Sequence, residues 1–305
     1  MTQHLRGILA LVAVVLVWGT TFPAMKELTA YFSPVWIILT RFAIATVLLF
    51  PFLWRARRSD IVLGTNLSLL LFFCYLFQVE GLALTTSNRN AFICGLNVLV
   101  VPLLGLLGGR LPERRIVVAL ALAVAGLVCL CWDGGGGWGR GDTLALLAAL
   151  TFGVYIKVME LYTRRATRLM TVTAAQIATV AVCAALWLLV REVPRGSIAV
   201  AEDAANYWAA IGHGLAQYWP HFAYLGVLCT AAIISMQAWG QARTSANEAA
   251  VIYAFEPGGA AFFAYFWLGE AMGGRGWLGA ALLISGMIVS QWNAESRPAG
   301  ALAPE

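Results

Sequence analysis

The sequence predicts an all-α integral membrane protein with ten transmembrane helices, arranged as two inverted five-helix repeats. Three observations carry this: a composition too apolar for a water-facing surface, ten long runs almost free of charge, and a residue pattern that recurs 159 positions apart. Of the 305 residues, 61% are hydrophobic and 11% charged, where a soluble domain carries about 25% charged residues. Mean hydropathy is +0.79. The net charge of +5 comes from arginines clustered between apolar runs, the pattern of cytoplasmic loops and not of a nucleic-acid groove.

A span needs roughly 20 mostly apolar residues. The first is Gly7–Leu28. Its uncharged stretch from Gly7 to Met25 is longer than the core of a secretion signal and lacks a small-residue cleavage site, so it reads as a retained helix. Pro34–Trp54 ends at the Arg55–Arg58 cluster, Ile61–Leu82 follows, and Asn90–Gly109 stops at Arg110. Ile116–Trp132 runs into glycines 134–137, 139 and 141. That stretch is a linker, since no Lys-Ser/Thr follows to make a phosphate loop. Asp142–Tyr162 stops at Arg164 and Arg165, and Thr171–Val190 precedes a mixed segment, Arg191–Tyr218, in which Tyr207–Leu215 reads as a short interfacial helix. Trp219–Gln241, Glu248–Leu268 and Gly276–Asn293 complete the set. Runs of this length without two-residue alternation exclude a lipid-facing barrel.

With the N-terminus inside, the inner segments carry twelve arginines and the outer segments six basic residues. This bias sets both termini in the cytoplasm of a bacterial inner (plasma) membrane. The six cysteines all lie in apolar stretches, and Cys129 and Cys131 have no histidine nearby. They read as small buried hydrophobes, with no metal, cofactor or disulfide expected.

Gln78, Gly81, Thr85, Asn88, Ala91 and Ile93 recur as Gln237, Gly240, Thr244, Asn247, Ala250 and Ile252. With a one-residue shift, Gly109, Arg115, Gly126 and Trp132 match Gly269, Arg275, Gly286 and Trp292, while Gly19 falls near Gly153 and Arg41 near Gln176. The chain therefore divides into a first repeat at 1–135, a second at 141–295 and a cytoplasmic tail at 296–305. Five spans per half force the second copy to enter the membrane from the opposite side. That construction is typical of secondary transporters, whose site lies where the halves meet near mid-membrane.

Trp18-Gly19-Thr20-Thr21-Phe22, Arg41-Phe42, Glu256-Pro257, Leu268-Gly269-Glu270 and the Gly279…Gly286 pair resemble the signatures of EamA-type members of the drug/metabolite transporter superfamily. The resemblance covers nearly the whole chain and is nearest to the YddG-like aromatic amino acid exporters. It implies a ten-helix carrier with a central cavity ringed by helices one to four and six to nine, helices five and ten at the periphery, and export of amino acids and other metabolites. One departure is that Asn97 stands in the first half where Glu256 stands in the second, so the two halves are not functionally equivalent.

Polar groups in hydrocarbon are costly and face the interior. Asn90 and Asn97, seven apart, share a face of the fourth span, and Tyr253 and Glu256, three apart, share one on the ninth. These line a cavity or bond helix to helix, the latter worth about 0.6 kcal/mol on average. Tyr75, Gln78 and Gln237 add a hydroxyl and two amides suited to a carboxylate or ammonium. Trp18, Trp239, Tyr75 and Tyr253 supply aromatic walls able to hold a cation, with packing as the plain alternative, and Thr21 belongs to the same substrate-binding set. Lys157 either holds a substrate carboxylate, snorkels to the cytoplasmic surface or pairs with Glu160. Arg41, two turns inside the second span, costs about 2.5–3.5 kcal/mol to insert and is assigned a structural role, holding carbonyls or a helix end. Pro23, Pro102 and Pro257 supply bends, Pro257 in a structural or gating role. Ala119, Ala123, Gly279 and Gly286 read as sites of close helix approach.

The expected function is export of aromatic or other apolar amino acids and related metabolites by alternating access, by a chain acting as a monomer in the lipid bilayer. Export of cationic drugs or nucleosides is the alternative. An intramembrane enzyme lacks a convergent nucleophile, base or metal set, His4, His213 and His221 lie outside or at the edges of spans, and nothing resembles a channel filter.

Overall fold

The structure, a computed structural model, describes residues 3–54, 56–104, 114–131, 137–163, 166–192, 204–241, 243–244 and 252–291. Asn247, most of the glycine-rich linker and the tail at 296–305 lie outside these residues. Every regular element among the described residues is helical. The order is α1 (Gln3–Leu28), α2 (Pro34–Leu49) with a 3-10 turn at Phe50–Phe52, α3 (Arg58–Leu84), α4 (Ser87–Gly95) and α5 (Asn97–Leu104). Next come α6 (Arg114–Cys131), α7 (Arg140–Thr163), α8 (Leu169–Trp187) with a π turn at Leu188–Glu192, α9 (Ala204–Gln217) and α10 (Trp219–Ala223). A π-helix (Tyr224–Ala232), α11 (Ile233–Gln241), α12 (Glu256–Leu268) and α13 (Gly274–Gln291) complete the chain.

Among the described residues, seven helical segments are long and apolar enough to cross a membrane: Gln3–Leu28, Pro34–Phe52, Arg58–Leu84, Arg114–Cys131, Arg140–Met159, Leu169–Arg191 and Trp219–Gln237. The other three predicted runs take a different form. The described part of Asn90–Gly109, up to Leu104, is not one helix but two, α4 and α5, interrupted at Leu96. The run beginning at Glu248 is described from Ile252, and its main helix starts only at Glu256. Gly276–Asn293 corresponds to α13.

Local chemistry sets the helix ends. Pro34 and Pro257 occupy first-turn positions of α2 and α12, where a missing N–H costs nothing and φ is already helical. Gly269 closes α12 in the left-handed region at φ +67°, and the Glu270 N–H returns to the Ala264 carbonyl at 3.2 Å. Two carboxylates cap helix starts from other elements. Asp60 accepts from the N–H groups of Thr167 (2.9 Å) and Arg168 (3.2 Å) before α8, and Glu270 from those of Ser87 (2.9 Å) and Asn88 (3.1 Å) in α4. A negative charge there satisfies orphan donors and opposes the helix dipole, worth about 0.3–1 kcal/mol each. Lys26 does the converse, donating from Nζ to the carbonyls of Leu82 (2.8 Å) and Thr85 (2.7 Å) at the end of α3.

Helices pack through glycines. In the α6–α13 pair, a Cβ at Gly126 would stand 2.9 Å from the Gly279 carbonyl oxygen, and one at Gly286 would stand 2.9 Å from that of Ala119. The same kind of approach recurs twice in related places. Gly81 of α3 meets Gly141 of α7 just as Gly240 of α11 meets Gly7 and Leu11 of α1. Gly153 of α7 meets Asn97 and Val100 of α5 just as Gly19 of α1 meets Gly259 and Ala260 of α12. The largest apolar core joins α2, α3, α8 and the π-helix through Ile37, Ile38, Phe42, Phe72, Val79, Ile177 and Leu225. The expected helix near Tyr207–Leu215 is α9. It buries Tyr207 and Ile211, leaves Trp208 exposed, and accepts a bond from Trp36 Nε1 to the Tyr207 hydroxyl at 2.8 Å.

Candidate functional site

The interruption between α4 and α5 and the start of α12 lie against each other. Pro257 cannot donate to the Tyr253 carbonyl, so the helical path through Ile252 and Tyr253 cannot run on unbroken, and a helix restarts at Glu256. Opposite it, the Leu96 N–H bonds three residues back to Ile93, and that of Leu99 to Leu96, so the chain tightens for one turn before α5 begins at Asn97. A Cβ at Gly95 would stand 2.7 Å from Pro257 Cγ. Gly95 is thus the surface on which the proline ring rests. Asn97 and Glu256 each open a helix beside this contact, and both are half-buried. Among the described residues Glu256 has no hydrogen-bond or ion-pair partner. Beside them Trp18 and Tyr253 pair at 5.8 Å between ring centroids.

A second cluster surrounds Arg41, which is 3% exposed. Its Nε and Nη2 donate to Thr230 Oγ1 at 3.2 and 3.1 Å, and its Nη1 to Met25 Sδ at 3.2 Å. Its guanidinium carbon lies 5.4 Å from the Phe42 ring and 5.2 Å from the Tyr75 ring. Tyr75 meets Phe42 and Phe152 edge-on at 4.9 and 5.5 Å. Gln176 donates to the Tyr155 hydroxyl at 2.8 Å. Glu256 lies within electrostatic reach of Tyr75 and of Cys94, so the two clusters are neighbours.

The structure therefore brings Trp18, Tyr253, Asn97, Glu256 and Pro257 together, with Tyr75 and Arg41 beside them. Other expected residues stand apart. Asn90 is fully buried, and its amide bridges helices: Nδ2 donates to the Gln78 carbonyl at 3.1 Å and Oδ1 faces Cys94 Sγ at 3.6 Å. The break at Leu96 also separates Asn90 from Asn97, so the expectation of one continuous face is corrected. Thr21 donates its hydroxyl to the Trp18 carbonyl of its own helix at 2.6 Å. Gln78 is buried, while Gln237, three residues before Gly240, shares the face of α11 that meets α1. Trp239 does not wall the cluster. It is 41% exposed, and Arg243 covers its ring at 4.0 Å. The reason is rotational: the next residue, Gly240, makes the α1 contact, which turns Trp239 about 100° away. Lys157 is exposed on α7, and the side chain of Glu160 lies outside the described residues. Arg41 holds a hydroxyl and a thioether, not the expected carbonyls or helix end.

Thr230, Phe152 and Tyr155 escaped the sequence reading. Thr230 reaches Arg41 because the π-helix widens the local turn, and its own hydroxyl donates five residues back to the Leu225 carbonyl at 2.8 Å. A π segment inside a long helix often marks a functional place. No sequence signal announces this one.

A profile of the EamA-like transporter family matches residues 5–132 and 139–291. An "Uncharacterized transporter" from Archaeoglobus fulgidus is 33% identical over 163 residues, 53% of this chain and 51% of that protein. The chain thus matches about half the length of this curated relative. A solved chain described only as "Crystal structure of protein" superposes with a TM-score of 0.61 at 19% identity, covering 93% of this chain and 96% of the other. That likeness concerns the fold alone.

Proposed function

Because this chain belongs to the EamA-like transporter family, we propose that it is a ten-span secondary transporter that exports apolar, notably aromatic, amino acids and related small metabolites. It works by alternating access between two inverted halves, 1–135 and 141–295. The observation that carries this reading is the pair of interrupted helices facing each other at Gly95 and Pro257, with Asn97 and Glu256 opening the second segments. Broken helices at the interface of two repeats are how many carriers build a solute site from freed backbone groups and helix ends. The break positions, Asn97 and Glu256, are 159 apart, the spacing of the sequence repeat. The glycine contacts support the same two-fold relation, since Gly81 with Gly141 has its counterpart in Gly240 with Gly7, and Gly153 with Asn97 in Gly19 with Gly259. The profile match in two segments agrees with a division near residue 135.

In this reading Trp18, Tyr253 and Tyr75 receive the apolar side chain of the solute, Asn97 and Glu256 its polar head, and Pro257 acts at the hinge. Gln78 and Gln237 occupy corresponding places on α3 and α11. Asn90 and Thr21 support the site through backbone contacts. Both termini lie on the cytoplasmic side of the inner membrane. Export of cationic drugs is the second reading, favoured by one observation: the Glu256 carboxylate, three residues from Tyr253 of the Trp18–Tyr253 pair, has no hydrogen-bond or ion-pair partner among the described residues. Counterflow of a panel of labelled amino acids in proteoliposomes tests the first. Exchange of phenylalanine, tyrosine or leucine is expected, and exchange of a lipophilic cation alone would replace it with the second.

A further inference from the structure

Arg41 is a permanent charge, almost fully buried, with no carboxylate within ion-pair distance among the described residues. A guanidinium has five N–H donors. Three are directed, two of them to one hydroxyl and one to a thioether, which is a weak acceptor. Among the described residues one N–H on each terminal nitrogen is left over, and the two terminal nitrogens of a guanidinium can serve two oxygens of one anion. The setting is built from four elements: Met25 on α1, Arg41 and Phe42 on α2, Tyr75 on α3 and Thr230 on the π-helix. Two aromatic faces and a hydroxyl orient the cation but do not neutralise it. Intramembrane charges normally pair with one another or belong to a solute path.

We propose that Arg41, oriented by Thr230 and Tyr75, forms an anion subsite that receives the carboxylate of the transported solute. This rests on the transport reading above and specifies which end of the solute goes where. Tyr75 and Phe152 are only partly buried and edge the cluster, so they are the layer a solute crosses to reach the guanidinium. Glu256 lies within electrostatic reach of the same tyrosine. A solute carrying both charges therefore sets its carboxylate toward Arg41 and its ammonium toward Glu256, and an anion lacking the ammonium still finds the first of these.

The test uses the purified full-length protein in lipid nanodiscs and two probes of one shape, phenylacetate and phenylacetamide, with binding measured by calorimetry. The acid is expected to bind about tenfold or more tightly than the amide, the scale of a charge-assisted pair. Arg41→Gln, checked for folding by its thermal transition, should bring the two within about twofold. If Arg41→Gln does not fold, Arg41→Lys serves instead. It keeps a point charge without the two-pronged geometry and should reduce the preference for the acid about threefold or more. Equal binding of the two probes by the unaltered protein, binding of neither, or a preference undiminished in the folded variant overturns the subsite. Amino acid counterflow reads the transport assignment separately. Acid preference without counterflow removes that assignment and keeps the subsite, while counterflow without acid preference does the reverse.

Discussion

Where α6 meets α13, backbone touches backbone through Gly126, Gly279 and Gly286, and both helices run without interruption. Where α4 and α5 meet α12, both paths are interrupted, a proline ring rests on Gly95, and an amide and a carboxylate open the helices that follow. In the first pair the close approach supplies dispersion contacts that apolar side chains cannot gain over lipid tails, which are equally apolar. In the second, helical hydrogen bonds are given up at the place where polar side chains gather. The difference separates a contact whose purpose is assembly from one suited to rearrangement, since an interrupted helix can change its bend with few bonds to break.

The comparison can be broken at several points. The largest effect is expected from Gly126→Leu. A side chain there meets the Gly279 carbonyl oxygen and the Leu283 nitrogen at 2.9 and 3.0 Å from its first carbon. Backbone cannot yield as a rotamer does, so the cost lies at or above the upper end of the about 1–3 kcal/mol usual for overpacking. Thermal unfolding in detergent should show a clear fall in Tm, and an unchanged Tm would mean that α6 and α13 do not need this approach.

Glu256→Gln should act on function and not on assembly. Counterflow is expected to fall about tenfold or more, equivalent to about 1.4 kcal/mol, with Tm retained and the pH dependence of the rate flattened. A pH profile identical to that of the unaltered protein would dismiss Glu256 as a proton-coupling group. Asn97→Ala, at the corresponding break, should lower counterflow about threefold, because an amide contributes a hydrogen bond and no charge. Equal losses at the two positions would contradict the inequality of the halves. The smallest effect is expected at Asn90→Ala. Its bridge between α3 and α4 has the about 0.6–1.7 kcal/mol range of interhelical bonds in membranes, so Tm falls slightly and the rate per folded molecule falls less than at Asn97.

Much of the helical framework was legible in the chain. The apolar runs, the arginine boundaries and the Pro34, Pro257 and Gly269 signals correspond to described helices or their ends. The break before α12 was legible too, because Pro257 removes a donor whatever surrounds it. The break at Leu96 was not. Val98 stands where the corresponding proline would be, and the local cause visible in space is Gly95 lying under the other half's proline ring. Arg41 was conspicuous as an intramembrane charge, but its acceptor Thr230 depends on a π turn. Trp239 looked like a cavity wall because aromatic character carries no information about which way a helix is rotated.

Sequence alone determined that this chain forms apolar helices, where most of them begin and end, and that its two halves share a pattern. Those properties depend on hydrogen bonds between near neighbours and on the exclusion of charge from hydrocarbon, and both are written along the chain. Which polar groups meet was decided only by the tertiary structure. The meeting of Pro257 with Gly95, of Arg41 with Thr230 and of Trp18 with Tyr253 depends on the depth and rotation of helices far apart in sequence, and these are set by the shapes that pack between them.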